Sequence, residues 1–323
     1  MKTKGKKLFV TLLLIAMSQA VLLSQSKFEK ATSDPASLEK KAFQDWPKER
    51  GKNGKGYTVY YPALKEVPKK IALVSFAIHD PGYTKDNANS ISTVRTSDGS
   101  AEIIVNAYLG VAIEPLKKTF KEYGMELLTP DEFLDTDEKK TSYYDFVLEK
   151  RNNGNKGLSN LASGGTHVSL SMAAKGYREL IPREEMVFIE GGQESKFSLL
   201  DCKDPKMMEG LGSDLAKALD VDAVLIIYNT VKSKNTYSAA ELKYVSMAMF
   251  GPNPIELAEG EKDGALYRKG LYYGVFRIEI GESTKDKKDA STFVITKGYE
   301  NIMVGLANRL GAWLKEKTAE EDK

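Results

Sequence analysis

The sequence predicts an α/β fold built on a mixed sheet, parallel in its first half and antiparallel in its second half, with helices packed on it. The apolar run "KIALVSFAI" is typical of a strand covered on both faces. The stretch "LAKALDVDAVLIIY" indicates a helix that leads directly into a second buried strand. The later segments "ELKYVSMAMFG" and "GLYYGVFRIEIGES" alternate in part between apolar and polar residues, as antiparallel strands with one solvated face do.

The first half reads as strand, helix, strand, helix, which is the order of a parallel sheet with crossover helices. Residues 71–78 are the first strand. Residues 101–123 carry apolar side chains at helical spacing, with Ser100 as a possible N-cap and a kink or interruption expected at Pro115. The next strand and helix are expected at 125–128 and 131–150.

The middle and the end of the chain complete the predicted sheet. Residues 151–165 are rich in glycine, serine and asparagine and read as a loop, and "EEMVFIEGG" suggests a short strand. A helix over 205–219 and a strand over 223–228 follow. Because strand side chains alternate, Val224, Ile226 and Tyr228 should face one side of the sheet and Ala223, Leu225 and Ile227 the other. A last strand in "ASTFVITKG" and an amphipathic helix over 299–317 are expected to close the fold.

The ends of the chain predict export. Four lysines precede an apolar run, and small residues follow at the spacing of a cleavage site, so residues 1–24 are expected to be a secretory signal peptide rather than a membrane anchor. Residues 25–68 are polar and lysine-rich and read as an extended arm. Residues 69–317 are expected to form a single domain with an insertion near 151–203, followed by a charged tail at 318–323.

Charge and cysteine content exclude several classes of protein. The whole chain has a formal net charge of +2, and removing the four lysines of the signal peptide leaves −2. Electrostatics therefore gives no reason to expect nucleic acid or an anionic membrane surface as a partner. Cys202 is the only cysteine, so no intramolecular disulfide can form and the fold must rest on its core. A buried, inert thiol is the favoured interpretation of Cys202.

The candidate ligand site lies just after the first strand. His79 and Asp80 stand at its carboxyl end, where parallel sheets gather their ligand sites, and Asp86 lies in the polar loop that follows. One interpretation makes His79 and Asp80 an acid/base pair. The favoured interpretation is that "HDPG" is a turn that ends the strand.

Other possible sites are weaker. His167 has Ser163, Ser169 and Ser171 near it, but no glycine-flanked nucleophile elbow is present there. The acidic stretch "TPDEFLDTDEKK" lacks the glycine and the glutamate of a helix-loop-helix calcium site, and acidic residues at the start of a helix are stabilised without a metal. The glycines of "NNGNKGLSNLASGG" do not have the spacing of a phosphate-binding loop. No metal or cofactor is therefore expected.

The order of these elements resembles envelope domains of the curli secretion channel family and the amino-terminal domain of TolB. The phrase "AKALDVDAVLI" carries most of the resemblance, which covers about residues 69–317 with an insertion between Lys150 and Lys203. The resemblance implies a periplasmic, non-enzymatic module that binds other proteins or assembles with itself. No cysteine lies near the expected cleavage site of the signal peptide, so lipid attachment there has no acceptor thiol. This favours an accessory module over a channel.

The functional expectation is an exported, non-enzymatic module of the cell envelope that binds an envelope protein or forms a homo-oligomer. It is expected in the periplasm or outside the cell, with no nucleic-acid partner and no stable membrane insertion after cleavage. Two alternatives stay open. One is a periplasmic hydrolase that uses His79 or His167, and the other is a small-ligand-binding protein with its site in the loop after the first strand.

Overall fold

A computed structural model describes residues 27–44, 64–87, 90–148, 169–182, 188–189, 205–233, 241–254, 269–280 and 296–319. The helices are α1 Lys27–Ala31, α2 Pro35–Lys41, α3 Asp98–Glu122, α4 Pro130–Phe133, α5 Asp137–Asp145, α6 Pro205–Glu209, α7 Ala216–Ala218 and α8 Tyr299–Ala319, and a π-helical segment, Gly210–Leu215, joins α6 to α7. The strands are β1 Phe43–Gln44, β2 Lys70–Asp80, β3 Tyr83–Asn87, β4 Ser90–Val94, β5 Glu126–Leu128, β6 Leu170–Ala173, β7 Phe188–Ile189, β8 Ala223–Lys232, β9 Glu241–Pro252 and β10 Gly270–Glu279.

The main sheet is mixed, which confirms the predicted α/β class. Its strand order is β1-β10-β9-β8-β2-β5, and β6 pairs with the carboxyl end of β2. β2 is parallel to both β5 and β8, whereas β8, β9, β10 and β1 are joined by antiparallel pairs. One pair departs from the expected division, because β6 runs antiparallel to β2 within the parallel half. A smaller sheet has the order β4-β3-β7, and it contains the short strand expected in "EEMVFIEGG".

Helices cover both faces of the main sheet, and the alternation predicted for β8 is confirmed. Ala223, Leu225 and Ile227 belong to the core beneath α3 and α8, on what we call the α8 face. Val224, Ile226 and Tyr228 belong to a second core beneath α5, α6 and the π-helical segment, on what we call the π face. All six side chains are at most 1% exposed. β8 is therefore the central buried strand of a three-layer structure.

The joint between α7 and β8 locks two parallel strands together. Asp220 turns the chain out of the helix in a left-handed conformation, with φ of 56°. The carboxylate of Asp222 then accepts hydrogen bonds from the backbone N–H groups of Lys69 and Lys70, both at 2.8 Å. The "DVD" turn thus fixes the start of β8 beside the start of β2, which explains its place in the sequence.

α3 is longer than predicted and runs through its proline without interruption. Ser97, not Ser100, is the N-cap, and its hydroxyl accepts a hydrogen bond from the backbone N–H of Ser100. Pro115 removes one backbone donor, and the helix continues through Glu122. The hydroxyl of Thr119 donates to the carbonyl of Pro115 at 2.8 Å, which satisfies one acceptor on this turn.

The helix expected at 131–150 is two shorter helices. Thr129 caps α4 through a capping box with Glu132, and α4 ends after one turn. Thr136 then caps α5, its hydroxyl accepting from the backbone N–H of Lys139 at 3.2 Å. Because the N-caps Thr129 and Thr136 lie within eight residues, the chain forms two short helices, and the prediction of one long helix was wrong.

The helix expected at 205–219 contains the π-helical segment, and it touches the sheet backbone. A Cβ on Gly212 would lie 2.5 Å from the carbonyl oxygen of Gly251 in β9, and one on Gly270 of β10 would lie 2.2 Å from the carbonyl of Met208. Only glycine permits this approach. The extra residue in the π turn keeps Leu211 and Leu215 buried on the π face.

The amino-terminal residues that the structure describes are not the extended arm that was expected. Over 27–44 the chain forms α1, α2 and β1, with Phe28 and Leu38 each 2% exposed in the core of the α8 face. α2 lies against α8 at Gly305, where an added Cβ would stand 2.9 Å from the Cβ of Leu38. β1 pairs with the end of β10. Residues 45–63 of the predicted arm lie outside the described residues.

Three other sequence predictions lie wholly or largely outside the described residues. They are the signal peptide at 1–24, the loop at 151–165 and most of the strand in "ASTFVITKG", of which the structure describes only residues 296–298. Helix α8 extends from Tyr299 to Ala319, two residues past the predicted end and into the predicted tail. Its side chains at 302, 306, 310 and 314 are buried, as the amphipathic spacing predicted.

Candidate functional site

The carboxyl end of β2 places a histidine between two hydroxyl groups. His79 is fully buried, and its Nδ1 lies 2.8 Å from Oγ of Ser171 on β6, its register partner. Thr230 of β8 is the register partner of His79 on the other side. Since register partners share a sheet face, the three side chains form a row on the π face. We call Ser171, His79 and Thr230 the carboxyl-end cluster.

The three side chains of the carboxyl-end cluster differ in how far they are exposed to solvent. Ser171 is partly exposed, whereas His79 and Thr230 are fully buried. The hydroxyl of Thr230 makes no hydrogen bond with any residue that the structure describes. A buried hydroxyl without a partner costs about 1–3 kcal/mol and is uncommon in folded proteins. Solvent therefore reaches the carboxyl-end cluster from the Ser171 side. At the buried end of the cluster, the hydroxyl of Thr230 has no hydrogen-bond partner among the described residues.

Asp80 points to the opposite side of the sheet and has a structural role. Its Oδ1 accepts a hydrogen bond from the backbone N–H of Gly82 at 2.9 Å, and its Oδ2 accepts from both the backbone N–H and the hydroxyl of Thr96 at 2.6 Å. Thr96 immediately precedes the N-cap of α3. Adjacent strand residues face opposite ways, so Asp80 and His79 are not brought together as an acid/base pair. The favoured turn interpretation agrees with these contacts.

The other residues singled out by sequence have different outcomes. Asp86 lies on β3, where it is the register partner of Ile91 in the small sheet. His167, Ser163 and Cys202 lie outside the described residues. Ser171 was associated with His167 by proximity in the sequence, but the structure pairs it with His79, 92 residues away.

The polar row continues across the sheet beyond the carboxyl-end cluster. Tyr244 of β9 is the register partner of Thr230, and the guanidinium of Arg277 on β10 lies 4.7 Å from the centroid of the Tyr244 ring. Nε of Arg277 donates to the hydroxyl of Ser246 at 2.9 Å. Sequence reasoning missed this row. The signal was present as polar residues at alternate positions of otherwise apolar strands.

Tyr143 closes the outer edge of β2 between β5 and β6. Its hydroxyl donates to the carbonyl of Val74 at 2.8 Å and accepts from the backbone N–H of Arg178 at 2.9 Å. Burial raises the pKa of the Tyr143 hydroxyl well above its usual value, so the group stays a neutral donor. The side chain of Arg178 donates to the carbonyls of Tyr143 and Phe146. Tyr143 thereby fixes residues 177–182 against the π face beside the cluster.

The acidic stretch considered for calcium is engaged in ion pairs and caps. Both carboxylate oxygens of Glu132 lie within 2.7 Å of Nζ of Lys117 on α3. Burial acts to raise the pKa of Glu132, but hydrogen bonds from Lys117 and Thr129 and the charge of Lys117 lower it overall. Asp135 pairs with Lys139 at 3.0 Å. Across the described ranges, no group of three or more histidine, cysteine, aspartate or glutamate residues is placed to hold a metal ion.

Within the described helices, none is both long enough and apolar enough to cross a membrane. Comparisons of the chain with protein-family models, with curated protein sequences and with solved structures find no match.

Proposed function

We propose that the protein is an exported module of the cell envelope that binds a protein partner or a second copy of itself and is non-enzymatic in that role. The observation that carries the proposal is a pair of exposed apolar side chains at the end of α5 and just after it, which we call the apolar patch. Tyr144 is 54% exposed and Val147 is 72% exposed, three residues apart. Large apolar side chains that are exposed within one short stretch of chain are candidates for an interaction site.

The patch is held on a rigid base. The ring of Tyr144 packs edge-on against Tyr143 with 5.1 Å between ring centroids, and Tyr143 is anchored to β2. Phe146, between the two exposed residues, packs on the core of the π face. A preformed apolar surface of this kind loses little side-chain entropy on binding. The lysine-then-apolar start of the sequence and the resemblance to curli-channel and TolB domains support a place in the envelope.

Site-specific photo-crosslinking tests the patch. A benzophenone amino acid at Val147 is expected to form an adduct in intact cells, either with an envelope protein or as a cross-linked dimer of this chain. The matched control is the same amino acid at Ile103, which is 56% exposed on α3, a helix of the opposite sheet face. Equal adducts from both positions, or none from Val147, would contradict the proposed surface.

Light scattering separates the two kinds of partner. If the partner is a second copy, the mature protein is a dimer or larger assembly, and Val147→Lys lowers its mass toward the monomer while Ile103→Lys does not. If the partner is another protein, the purified chain is a monomer and the adduct contains a second polypeptide.

Export has its own test. Mass spectrometry of protein from the native host is expected to find a mature amino terminus between residues 21 and 27. Such a terminus leaves Phe28, which is buried in the core, in the mature chain. Full-length protein recovered from the cytoplasm would remove the envelope from the proposal.

A further inference from the structure

The connections of the main sheet change direction at β2. The first crossover leaves β2, passes along α3 on the α8 face and returns as β5 on one edge of β2. The path to β8, on the other edge of β2, passes through α6 and the π-helical segment on the π face. In α/β sheets, the crevice outside the carboxyl ends of two strands at such a reversal is the usual place for a ligand. The carboxyl-end cluster lies at this point.

From the geometry of the cluster we propose that Ser171 is an activated nucleophile for which His79 is the general base, and that it reacts with ester-type electrophiles. The inference goes beyond the proposed binding function. Three observations carry it: the 2.8 Å contact of Ser171 Oγ with His79 Nδ1, the partial exposure of Ser171, and the complete burial of His79 behind it. A hydroxyl within hydrogen-bond reach of an imidazole is the arrangement that activates a serine.

Burial of the imidazole suits it to this role. His79 is fully buried, so substrate can approach the pair only from the side of Ser171. In the neutral tautomer with its proton on Nε2, Nδ1 is an acceptor and the Ser171 hydroxyl donates to it. The substrate, and the water of the second step, approach from the partly exposed Ser171 side.

The reaction balances with water as the second reactant. Oγ of Ser171 forms a bond to the carbonyl carbon of the ester while its proton passes to Nδ1 of His79. The bond from that carbon to the alkoxy group then breaks, and the alkoxy oxygen takes the proton from His79 and leaves as an alcohol. Water, deprotonated by His79, attacks the acyl-serine, releases the carboxylic acid and restores the Ser171 hydroxyl.

Thr230 borders the base on the side away from Ser171. His79 is the register partner of both residues and Thr230 is fully buried, so the Thr230 hydroxyl does not reach a substrate bonded to Ser171. Thr230 therefore helps to enclose the imidazole and takes no direct part in the reaction.

The test uses the full mature chain and a fluorophosphonate probe, which transfers a phosphonyl group to an activated serine and releases fluoride. Peptide mass spectrometry measures labelling of Ser171 and of Ser169, an exposed serine two residues earlier on the same chain. A general base is worth about 100-fold to 10,000-fold in rate, so Ser171 is expected to react at least about 100-fold faster than Ser169.

Variants assign the effect to the cluster. Ser171→Ala is expected to abolish specific labelling, Ser169→Ala to leave it unchanged, and His79→Gln to bring Ser171 down to the rate of Ser169. If His79→Gln fails to fold by circular dichroism, the ratio of Ser171 to Ser169 labelling in the unmodified chain decides the question. Equal labelling of the two serines in the unmodified chain would overturn the proposal. Because crosslinking at Val147 is a separate readout, failure here does not count against the binding function.

Discussion

The change Asp80→Ala tests whether the residue beside His79 serves structure or ligand binding. The Asp80 carboxylate accepts three hydrogen bonds, and Thr96, which donates two of them, is 2% exposed. Alanine leaves the N–H and the hydroxyl of Thr96 buried without this acceptor. Each such group costs about 1–3 kcal/mol. Loss of the buried carboxylate offsets part of this, because its own desolvation cost also disappears. The expected loss in free energy of unfolding is about 2–4 kcal/mol.

Urea unfolding of the mature chain measures this loss as a lower midpoint. The urea midpoint of Asp80→Asn should lie between those of the wild type and Asp80→Ala, since the amide keeps one acceptor oxygen. The matched control is Asp98→Ala, two residues after Thr96, whose side chain is 69% exposed and pairs with Arg95. That change should cost less than about 1 kcal/mol. An Asp80→Ala protein as stable as wild type that had lost crosslinking at Val147 or labelling at Ser171 would make Asp80 a functional residue and refute this reasoning.

The remaining predictions concern stability. Leu225→Asp puts a carboxylate at a fully buried position of β8 and should cost more than about 4 kcal/mol, seen as an unfolded or insoluble product; a stable protein with one specific defect would contradict an architectural role. Thr230→Val should raise the free energy of unfolding by about 1–2 kcal/mol, because it removes a buried hydroxyl without a partner, and a loss in the urea midpoint would contradict this. The pKa of Glu132 is lowered in the folded protein, so the ionised carboxylate stabilises the fold at pH values above its ordinary pKa of 4.5. This stabilisation is lost as the pH falls through the lowered pKa of the folded state. Glu132→Gln should therefore lower stability by less than about 1 kcal/mol at pH 7, since the pair with Lys117 is partly exposed, and the difference should vanish in acid; an equal difference at both pH values would exclude the ion pair as its source.

The sheet and its covering helices were predictable because their signals are local and repeat. A buried run such as "AVLIIY" specifies a strand, and strand alternation assigns Leu225 and Ile226 to opposite faces without further information. The four-residue spacing of Ile302, Leu306 and Leu310 likewise specifies the buried stripe of α8.

Contacts between distant parts of the chain were not predictable in the same way. Phe28 and Leu38 stand ten residues apart among lysines and polar residues, too sparse a pattern to indicate a docked segment. The approach of Gly212 in the π-helical segment to Gly251 of β9 joins distant parts of the chain, and no local pattern records it.

The candidate site likewise contains one residue that local sequence could identify and two that it could not. His79 was found from its place at the end of a strand, but Ser171 and Thr230 come from strands whose register with β2 the sequence does not specify. Grouping by sequence proximity joined Ser171 to His167 instead.

The docking of α1 and α2 against α8 determines when the native structure can be completed. The amide of Asn301 donates to the carbonyl of Thr32 across a separation of 269 residues, and Gly305 lies against Leu38. During synthesis the first of these surfaces leaves the ribosome long before the second exists, so Phe28 and Leu38 have no native cover until the last helix is made. Contacts of such long range form late and slow the final closure. A chain cut short before Tyr299 would lack the helix that covers the α8 face, so both its leading segment and that face of the sheet would expose apolar residues.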